Sequence, residues 1–335
     1  MCIFAALAAE PAPQRWPGGS VLRSDRAAIA ERLRLPRSPK DQVPASASVN
    51  QGADRLRALQ GRLFPFLPAA QHREWRTLMA SVVRELRLAM PVSPADLAHD
   101  ALTEFDDQAV SIDVLARCVS TTVGGSFLGL HPDAWDEAAA CSHAFTVAGD
   151  VTCKLDDVSG TLELCDRLEA LAGESSAWLP GGAAERVAAG CESLAGPVGI
   201  QVAFLVAATL STLEDAIQVA IACHDNDDDV SVEARLHRYP PIQLTTRWEP
   251  SPNAEPGTQR ITWLYLGDAG AGAESDSSDA PIFGGGAHRC LGAGIANETF
   301  AGLEAKELIS LKTRSGLMAI VQYVEEHLHR YGMAF

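Results

Sequence analysis

The sequence predicts a mainly α-helical protein with small β elements, and three stretches support that prediction. Residues 94–149 repeat apolar side chains at helical spacing. Ile200 to Leu213 form an apolar run of about 14 residues, which is too short to span a bilayer and is typical of a core helix. Ile261 to Gly267 alternate in the manner of a strand. Helices should therefore dominate the fold, with a small sheet beside them.

Composition limits the class of protein. The chain has 335 residues, and its apolar content of 47% is enough for one large domain, which we predict to span residues 1–335. The formal net charge of −16 argues against nucleic acid or an anionic membrane as the main partner. Eight cysteines without paired spacing indicate reduced thiols rather than a disulfide framework. We therefore expect a cytoplasmic protein that has no membrane partner.

The N-terminal part predicts few elements. Residues 1–50 are rich in Pro, Ala and Ser. Within them, Gly19 to Asp25 predicts a strand followed by a helix N-cap, and Asp25 to Arg34 predicts the helix itself. Arg55 to Phe64 has an amphipathic pattern that predicts a second helix.

Further along, residues 129–135 (Gly-Leu-His-Pro-Asp-Ala-Trp) predict a break between two helices. Residues 150–190 have weak periodicity and several glycines. Near the C-terminus, Ala293 to Leu308 predicts an amphipathic helix, and Leu317 to Tyr331 predicts another.

A glycine-rich loop with one cysteine runs directly into the helix that begins near Ala293. Its sequence is Phe283-Gly-Gly-Gly286-Ala-His288-Arg-Cys290-Leu-Gly292. A thiol before a helix N-terminus is well placed to ionise, because free N–H groups and the helix dipole favour negative charge. Glycines let a backbone lie against a large planar ligand. A thiolate held in this way is one of the axial ligands used for haem iron.

Three other roles are known for glycine-rich loops or for single cysteines. A phosphate-binding loop would need a third glycine at an offset that the sequence does not provide. A zinc site would need a second Cys/His pair near His288 and Cys290, and none stands at ligand spacing. A buried structural cysteine is the commonest role for any single Cys.

The order Phe-x-x-Gly-x-His-x-Cys-x-Gly resembles the haem-binding signature of the cytochrome P-450 family, and every defining position is filled. The resemblance extends over residues 20–315 and implies a P-450 architecture shortened at the N-terminus and before the cysteine loop. It implies haem b as cofactor, with Cys290 as the iron ligand. The cofactor-binding positions that it implies in this region are Phe283, Gly286, His288, Cys290, Gly292 and Ala296.

The same resemblance implies three partners for the haem propionates. Arg57 matches a family arginine on a helix that crosses above the haem, although Ala53 stands where the family has a histidine. Arg247 matches an arginine on a family strand, and His288 belongs to the cysteine signature. Such groups suit carboxylates because they form charge-assisted hydrogen bonds.

Two family features are replaced. Leu194 to Ile200 resembles the helix kink Ala-Gly-x-Asp/Glu-Thr-Thr, in which Val198 takes the acid position and Gly199 the alcohol position. That pair supports proton delivery during dioxygen activation, and neither replacement can donate a proton. A register error of a few residues is the alternative. The family's Glu-x-x-Arg ion pair likewise falls on Ala234 and His237, so the buried pair is lost as a unit.

These replacements predict a haem-thiolate enzyme of bacterial specialised metabolism that acts on a small organic molecule by atypical chemistry. That chemistry would use peroxide, or would be a dehydration, rearrangement or cyclisation without oxygenation, with Val198 and Gly199 in the distal pocket. The alternatives are a conventional monooxygenase served by a ferredoxin and its reductase, and a non-catalytic partner protein. The surface that a shortened N-terminus leaves bare would be covered either by the Pro-rich first 20 residues or by a second copy of the chain.

Overall fold

The computed structural model describes residues 14–15, 21–23, 26–33, 54–105, 110–149, 155, 157–191, 194, 197–222, 244–250, 259–265, 283 and 289–305. The described helices are α1 (Arg26–Leu33), α2 (Asp54–Arg62), α3 (Ala69–Ala89), α4 (Pro94–Thr103), α5 (Ile112–Leu128), α6 (Trp135–Gly149), α7 (Val158–Gly173), α8 (Ala183–Gly190), α9 (Val198–Ala222) and α10 (Ala293–Ala305). The described strands are β1 (Gln14–Arg15), β2 (Val21–Arg23), β3 (Leu244–Pro250) and β4 (Gln259–Tyr265). The mainly α fold with small β elements is therefore confirmed.

The four strands form one sheet in the order β1-β2-β4-β3. β2 runs parallel to β4, with Val21 opposite Thr262. β3 runs antiparallel to β4, with Arg247 opposite the same Thr262. The sheet thus joins the first part of the chain to the strands that precede the cysteine loop.

Local sequence explains where several helices start and stop. Ser93 caps α4 by accepting a hydrogen bond from the N–H of Asp96, and Ser111 caps α5 by accepting one from Val114. α5 ends at Gly129, whose φ of 69° is a left-handed conformation that glycine adopts without cost. This is the predicted break, and a 3₁₀ turn at Pro132–Ala134 follows it.

α9 lies at the centre of the helical core and packs against α5, α6, α7 and α8. Gly124 lets α5 approach closely, since a Cβ there would lie 2.6 Å from Leu210 Cδ2. Among the described residues, the segment Val198–Ala220 is the one helical stretch long and apolar enough to cross a membrane, and 61% of its apolar window is buried inside the protein. The predicted core helix at Ile200 to Leu213 is thus confirmed and extends further in both directions.

Two helices go beyond what the sequence predicted. Residues 150–190, where periodicity is weak, contain the 16-residue helix α7, in which Leu162, Cys165 and Leu168 recur on one buried face. The 21-residue helix α3 was not identified from the sequence. The predicted helix from Leu317 to Tyr331 lies outside the described residues.

Candidate functional site

The cysteine loop is closed by a hydrogen bond between its two ends. The N–H of Cys290 donates to the carbonyl oxygen of Phe283 at 2.7 Å. Two residues beyond the cysteine, the carbonyl of Gly292 accepts the N–H of Ala296 at 3.0 Å, and α10 begins at Ala293. A Cβ on Gly292 would lie 3.8 Å from the Cys290 sulfur, so the backbone passes close beside it. The sulfur therefore lies at the N-terminal end of α10, as the sequence predicted.

The electrostatic surroundings of Cys290 differ from the expectation. Its side chain is accessible to solvent. Burial of the sulfur nevertheless raises the pKa of the Cys290 thiol. This effect outweighs the backbone N–H groups of Gly292 and Ala293 and the guanidinium groups of Arg76 and Arg289, which all lower that pKa. The predicted ionising influence of the helix is present, but desolvation exceeds it. A metal ion bound at this sulfur would have to displace the thiol proton.

α10 is seated against two other helices. Gly302 lies directly on α4, where an added Cβ would be 2.1 Å from the carbonyl oxygen of Ala95. The guanidinium of Arg87 on α3 forms a two-pronged ion pair with the carboxylate of Glu298 on α10, and its Nε lies 3.1 Å from Oε1. Ile295 and Leu303 are buried in the core. The helix that follows Cys290 is thus held by packing and by charge.

Arg57 on α2 has an incompletely paired guanidinium. One terminal nitrogen, Nη2, pairs with the carboxylate of Asp54 one turn earlier. The other, Nη1, is buried and has no hydrogen-bond partner among the residues that the structure describes. A buried unpaired donor carries a desolvation penalty. A carboxylate placed against Nη1 would remove that penalty, which fits the predicted role of Arg57 as a propionate partner.

Two buried glutamines hold α2 in place. The side-chain amide of Gln201 on α9 donates to the carbonyl of Arg62 at 2.6 Å and accepts the N–H of Phe64 at 2.9 Å. Gln60 donates to the carbonyl of Ala148 on α6 at 2.7 Å. α2 and its Arg57 are therefore fixed to the core helices by polar contacts that exclude water.

Val198 and Gly199, the expected distal-pocket residues, form the first turn of α9. A Cβ on Gly199 would lie 3.7 Å from Glu169 of α7, at ordinary contact distance. The pair therefore lies beside α7 at the start of α9, and not in the middle of α9. Their predicted role stays a prediction.

The middle of α9 carries a stripe of partly exposed side chains. Phe204, Ala208, Thr212 and Asp215 recur at helical spacing between buried neighbours. Phe204 makes an edge-to-face contact with Phe64, with ring centroids 5.3 Å apart, so the stripe begins beside the end of α2. We call these four residues the α9 stripe.

The opposite side of α9 packs on α5. Gly124 of α5 faces Leu210 and Thr209, and an added Cβ would lie 3.3 Å from Thr209 Cγ2. The α9 stripe therefore points away from α5. Its four side chains are partly accessible within the described core.

Sequence reasoning missed a second match on this helix. Ala208 and Thr212 have the spacing of the alanine and the threonine in the pattern Ala-Gly-x-Asp/Glu-Thr. Thr209 then takes the glycine position and Ser211 the acid position. Ser211 is buried, and within the described part of the chain its hydroxyl has no hydrogen-bond partner. The spacing of Ala208 and Thr212 within the long apolar run indicates this match, although no acid precedes the threonine.

The remaining predicted positions are described in part or lie outside the described residues. Arg247 lies on β3, where its backbone is paired with Thr262. Ala296 and Phe283 pack against the hydrophobic core. Gly286, His288, Ala53, Ala234 and His237 all lie outside the described residues. Among those that are described, no group of three or more His, Cys, Asp and Glu side chains is placed to hold a metal ion.

The described residues fit a haem held by a thiolate. Cys290 presents an accessible sulfur in a short loop beside a helix N-terminus. Arg57 presents a buried nitrogen that lacks an acceptor, as a propionate-binding group would before its ligand arrives. These two observations concern opposite parts of the ligand, its iron and its carboxylates.

Comparison with known proteins gives a consistent fold. No protein-family model and no curated protein matches the chain. Solved structures do match. One is P450BioI in complex with an acyl carrier protein ligated to hexadec-9Z-enoic acid, at 15% identity and a TM-score of 0.72, over 92% of this chain and 91% of that one.

Two further structures show the same similarity. One is cytochrome P-450 RauA complexed with a biosynthetic intermediate of aurachin RE, at 16% identity and a TM-score of 0.68, over 93% of this chain and 88% of that one. The other is a cytochrome P-450 from Chondromyces apiculatus, at 15% identity and a TM-score of 0.64, over 92% of this chain and 86% of that one. Helix order, the cysteine loop and these matches agree that the chain has the cytochrome P-450 fold.

Proposed function

We propose that the protein is a haem-thiolate enzyme that converts a small organic molecule in the bacterial cytoplasm, with haem b bound through Cys290. The observation that carries this proposal is the closed loop from Phe283 to Cys290, which ends in an accessible sulfur at the N-terminus of α10. When bound, haem supplies one-electron redox chemistry and a Lewis-acidic iron. The protein would supply the thiolate ligand and the pocket.

The residues of this chain divide the binding of haem among themselves. Cys290 would ligate the iron, and Phe283, Gly286, Gly292 and Ala296 would border the ring. Arg57, Arg247 and His288 would bind the propionates. The unpaired Nη1 of Arg57 supports that assignment, because a carboxylate is the acceptor that a buried guanidinium lacks.

The spectrum of the reduced carbon monoxide complex tests this proposal. We expect the strongly red-shifted Soret band of thiolate ligation in the wild-type protein and its loss in Cys290→Ala. Cys191→Ala is the control, since Cys191 is a partly exposed thiol that follows helix α8 and lies outside the cysteine loop. Protein expressed with ample haem that binds none would overturn the proposal.

The reaction class follows from how protons could reach the pocket. The α9 stripe offers the Thr212 hydroxyl, and Ser211 supplies a second hydroxyl where the family pattern has a carboxylate. A hydroxyl can pass a proton but is a poor acid at neutral pH. We therefore propose a reaction that does not depend on protons from the protein, such as one using peroxide or a non-oxygenating dehydration, rearrangement or cyclisation.

Thr212 favours one second candidate, a monooxygenase driven by a ferredoxin and its reductase. In that case Thr212 would position a water that donates the proton. Val198 and Gly199 would then border only the outer part of the pocket, beside Glu169. The retained threonine is the specific observation behind this alternative.

Substitution of Thr212 separates the two reactions. Turnover is compared under anaerobiosis, with added peroxide, and with reductase and ferredoxin in air. Thr212→Val leaves the peroxide-driven or oxygen-independent reaction unchanged if the first proposal holds. Thr209→Val is the control, because its hydroxyl is bonded to the Leu205 carbonyl. Tightly coupled turnover only with reductase in air, lost in Thr212→Val, would establish the second candidate.

The substrate class can be narrowed by ligand-induced shifts of the haem spectrum. Two of the similar structures hold an acyl-carrier-bound fatty acid and a biosynthetic intermediate, respectively. We propose a hydrophobic intermediate of specialised metabolism for this chain. Free fatty acids, acyl-carrier-bound fatty acids and aromatic intermediates should be screened separately, since a shift with one class alone identifies the substrate type.

A further inference from the structure

The peptide unit between Arg289 and Cys290 is held at both of its polar groups. Its N–H, on Cys290, donates to the Phe283 carbonyl at 2.7 Å. Its carbonyl, on Arg289, accepts a hydrogen bond from Nη2 of Arg76 at 2.6 Å. Because a peptide unit is planar, holding both groups fixes the plane from which the Cys290 side chain departs.

Arg76 reaches this peptide from a firmly seated helix. On α3 it directly follows Trp75 and lies three residues before Met79. Both of these side chains are wholly buried in the core. The arginine side chain is partly buried and crosses from α3 to the loop. Its contact spans 213 positions of sequence, so it is a tertiary contact rather than a local turn.

The contact is also electrostatic. Burial lowers the pKa of the Arg76 guanidinium, while the nearby Cys290 sulfur raises it. If the sulfur ligates a metal, a neighbouring positive charge would stabilise the reduced metal, because reduction adds a negative charge. Arg289 is exposed and contributes its charge from the solvent side.

We propose that Arg76 is a positioning residue for the Cys290 ligand, which orients the cysteine peptide through the Arg289 carbonyl and sets the reduction potential through its charge. This role rests on the proposed haem-thiolate function. It assigns to α3, a helix absent from the sequence-based prediction, the support of the proximal side of the site.

Four variants separate charge from hydrogen bonding. Arg76→Met removes both, Arg76→Gln retains a donor without charge, and Arg76→Lys retains charge with a different donor. Arg84→Met is the control, because Arg84 is exposed on the same helix and loses the same charge. The haem-loaded proteins are compared by redox titration and by the fraction of the carbon monoxide complex that keeps the red-shifted band.

We expect Arg76→Met to shift the reduction equilibrium about tenfold toward the oxidised form, which is about 59 mV for one electron, and to lose part of the red-shifted band. Arg76→Gln should recover the band but not the potential, and Arg76→Lys should recover most of the potential. If Arg76 had only a structural role, its variants would change the unfolding temperature, but Gln would not recover the band separately from the potential, nor Lys the potential separately from the band. If Arg76→Met fails to fold, the Lys and Gln variants still provide the comparison.

Two outcomes overturn the inference in different ways. Wild-type protein without a thiolate band overturns the proposed function and this role with it. A normal band in the wild type, with the same potential and band fraction in Arg76→Met as in Arg84→Met, overturns only the role of Arg76.

Discussion

The side-chain oxygen of Gln201 on α9 accepts the backbone N–H of Phe64 at 2.9 Å, and its nitrogen donates to the Arg62 carbonyl at 2.6 Å. One buried side chain thereby satisfies two backbone groups where α2 ends. Gln201→Leu would leave both groups unpaired, at a cost of about 1–3 kcal/mol in the free energy of unfolding. Urea denaturation measures the change, and Gln71→Leu on the exposed face of α3 should be close to neutral.

Arg57 and Arg55 provide a matched pair on α2. Arg57 has the buried unpaired Nη1, whereas Arg55 makes an exposed ion pair with Asp166. We expect Arg57→Met to lose haem roughly tenfold faster or more, from the ~1.5–3 kcal/mol of a charge-assisted hydrogen bond. Haem transfer to excess apomyoglobin measures the rate. A wild-type rate in Arg57→Met, or an equal acceleration in Arg55→Met, would remove Arg57 from the propionate site.

Gly302 and Gly294 test the seat of α10. Gly302→Ala would force a Cβ to within 2.1 Å of the Ala95 carbonyl oxygen, so α4 and α10 would have to separate. Overpacking of this kind costs about 1–3 kcal/mol. Gly294 has open space where its Cβ would lie, and alanine there should be neutral or stabilising by up to ~1 kcal/mol. Thermal unfolding should therefore show a lower unfolding temperature for Gly302→Ala. The unfolding temperature of Gly294→Ala should be unchanged or higher.

Alkaline pH should weaken the contact between α6 and α7. Burial raises the pKa of the Cys165 thiol to about 12, and the nearby Asp166 and Cys141 add to that effect. In the unfolded chain a thiol ionises near pH ~8.5, so the stabilisation is complete below that pH and is lost progressively as the pH rises towards about 12.

Urea denaturation between neutral and alkaline pH checks this expectation. Cys165→Ala should reduce the pH dependence by up to ~1.4 kcal/mol per pH unit in the alkaline range. Leu168→Ala, at a buried neighbour on the same helix, should lower stability without changing that slope. Equal slopes in the wild type and in Cys165→Ala would contradict the assignment.

Elements that depend on local chemistry could be predicted from the sequence. The cysteine loop and the helix after it follow from glycines and from apolar spacing, and α10 begins at Ala293 as predicted. The strand around Val21 and the break at Gly129 likewise follow from local turn and capping chemistry. These features need no knowledge of distant contacts.

Features set by distant contacts could not be predicted. The periodicity of α7 is partly hidden, because Cys165 and Ala172 occupy buried positions that a larger apolar residue would mark more clearly. The hydrogen bond from Arg76 to Arg289 joins segments far apart in sequence, and nothing local identifies it. The α9 stripe becomes visible only when helix packing is known, since Thr212 and Thr209 look alike in the sequence but Thr209 faces Gly124 of α5.

The parallel pairing of β2 with β4 has a consequence for how the chain folds. Val21 and Thr262 are neighbours in the sheet although roughly 240 positions separate them, and such non-local pairing slows folding because a long loop must close first. The helices from α3 to α9 contact one another at shorter range and can assemble while the chain is still being synthesised. During translation β2 therefore cannot pair with β4 until nearly four-fifths of the chain has left the ribosome.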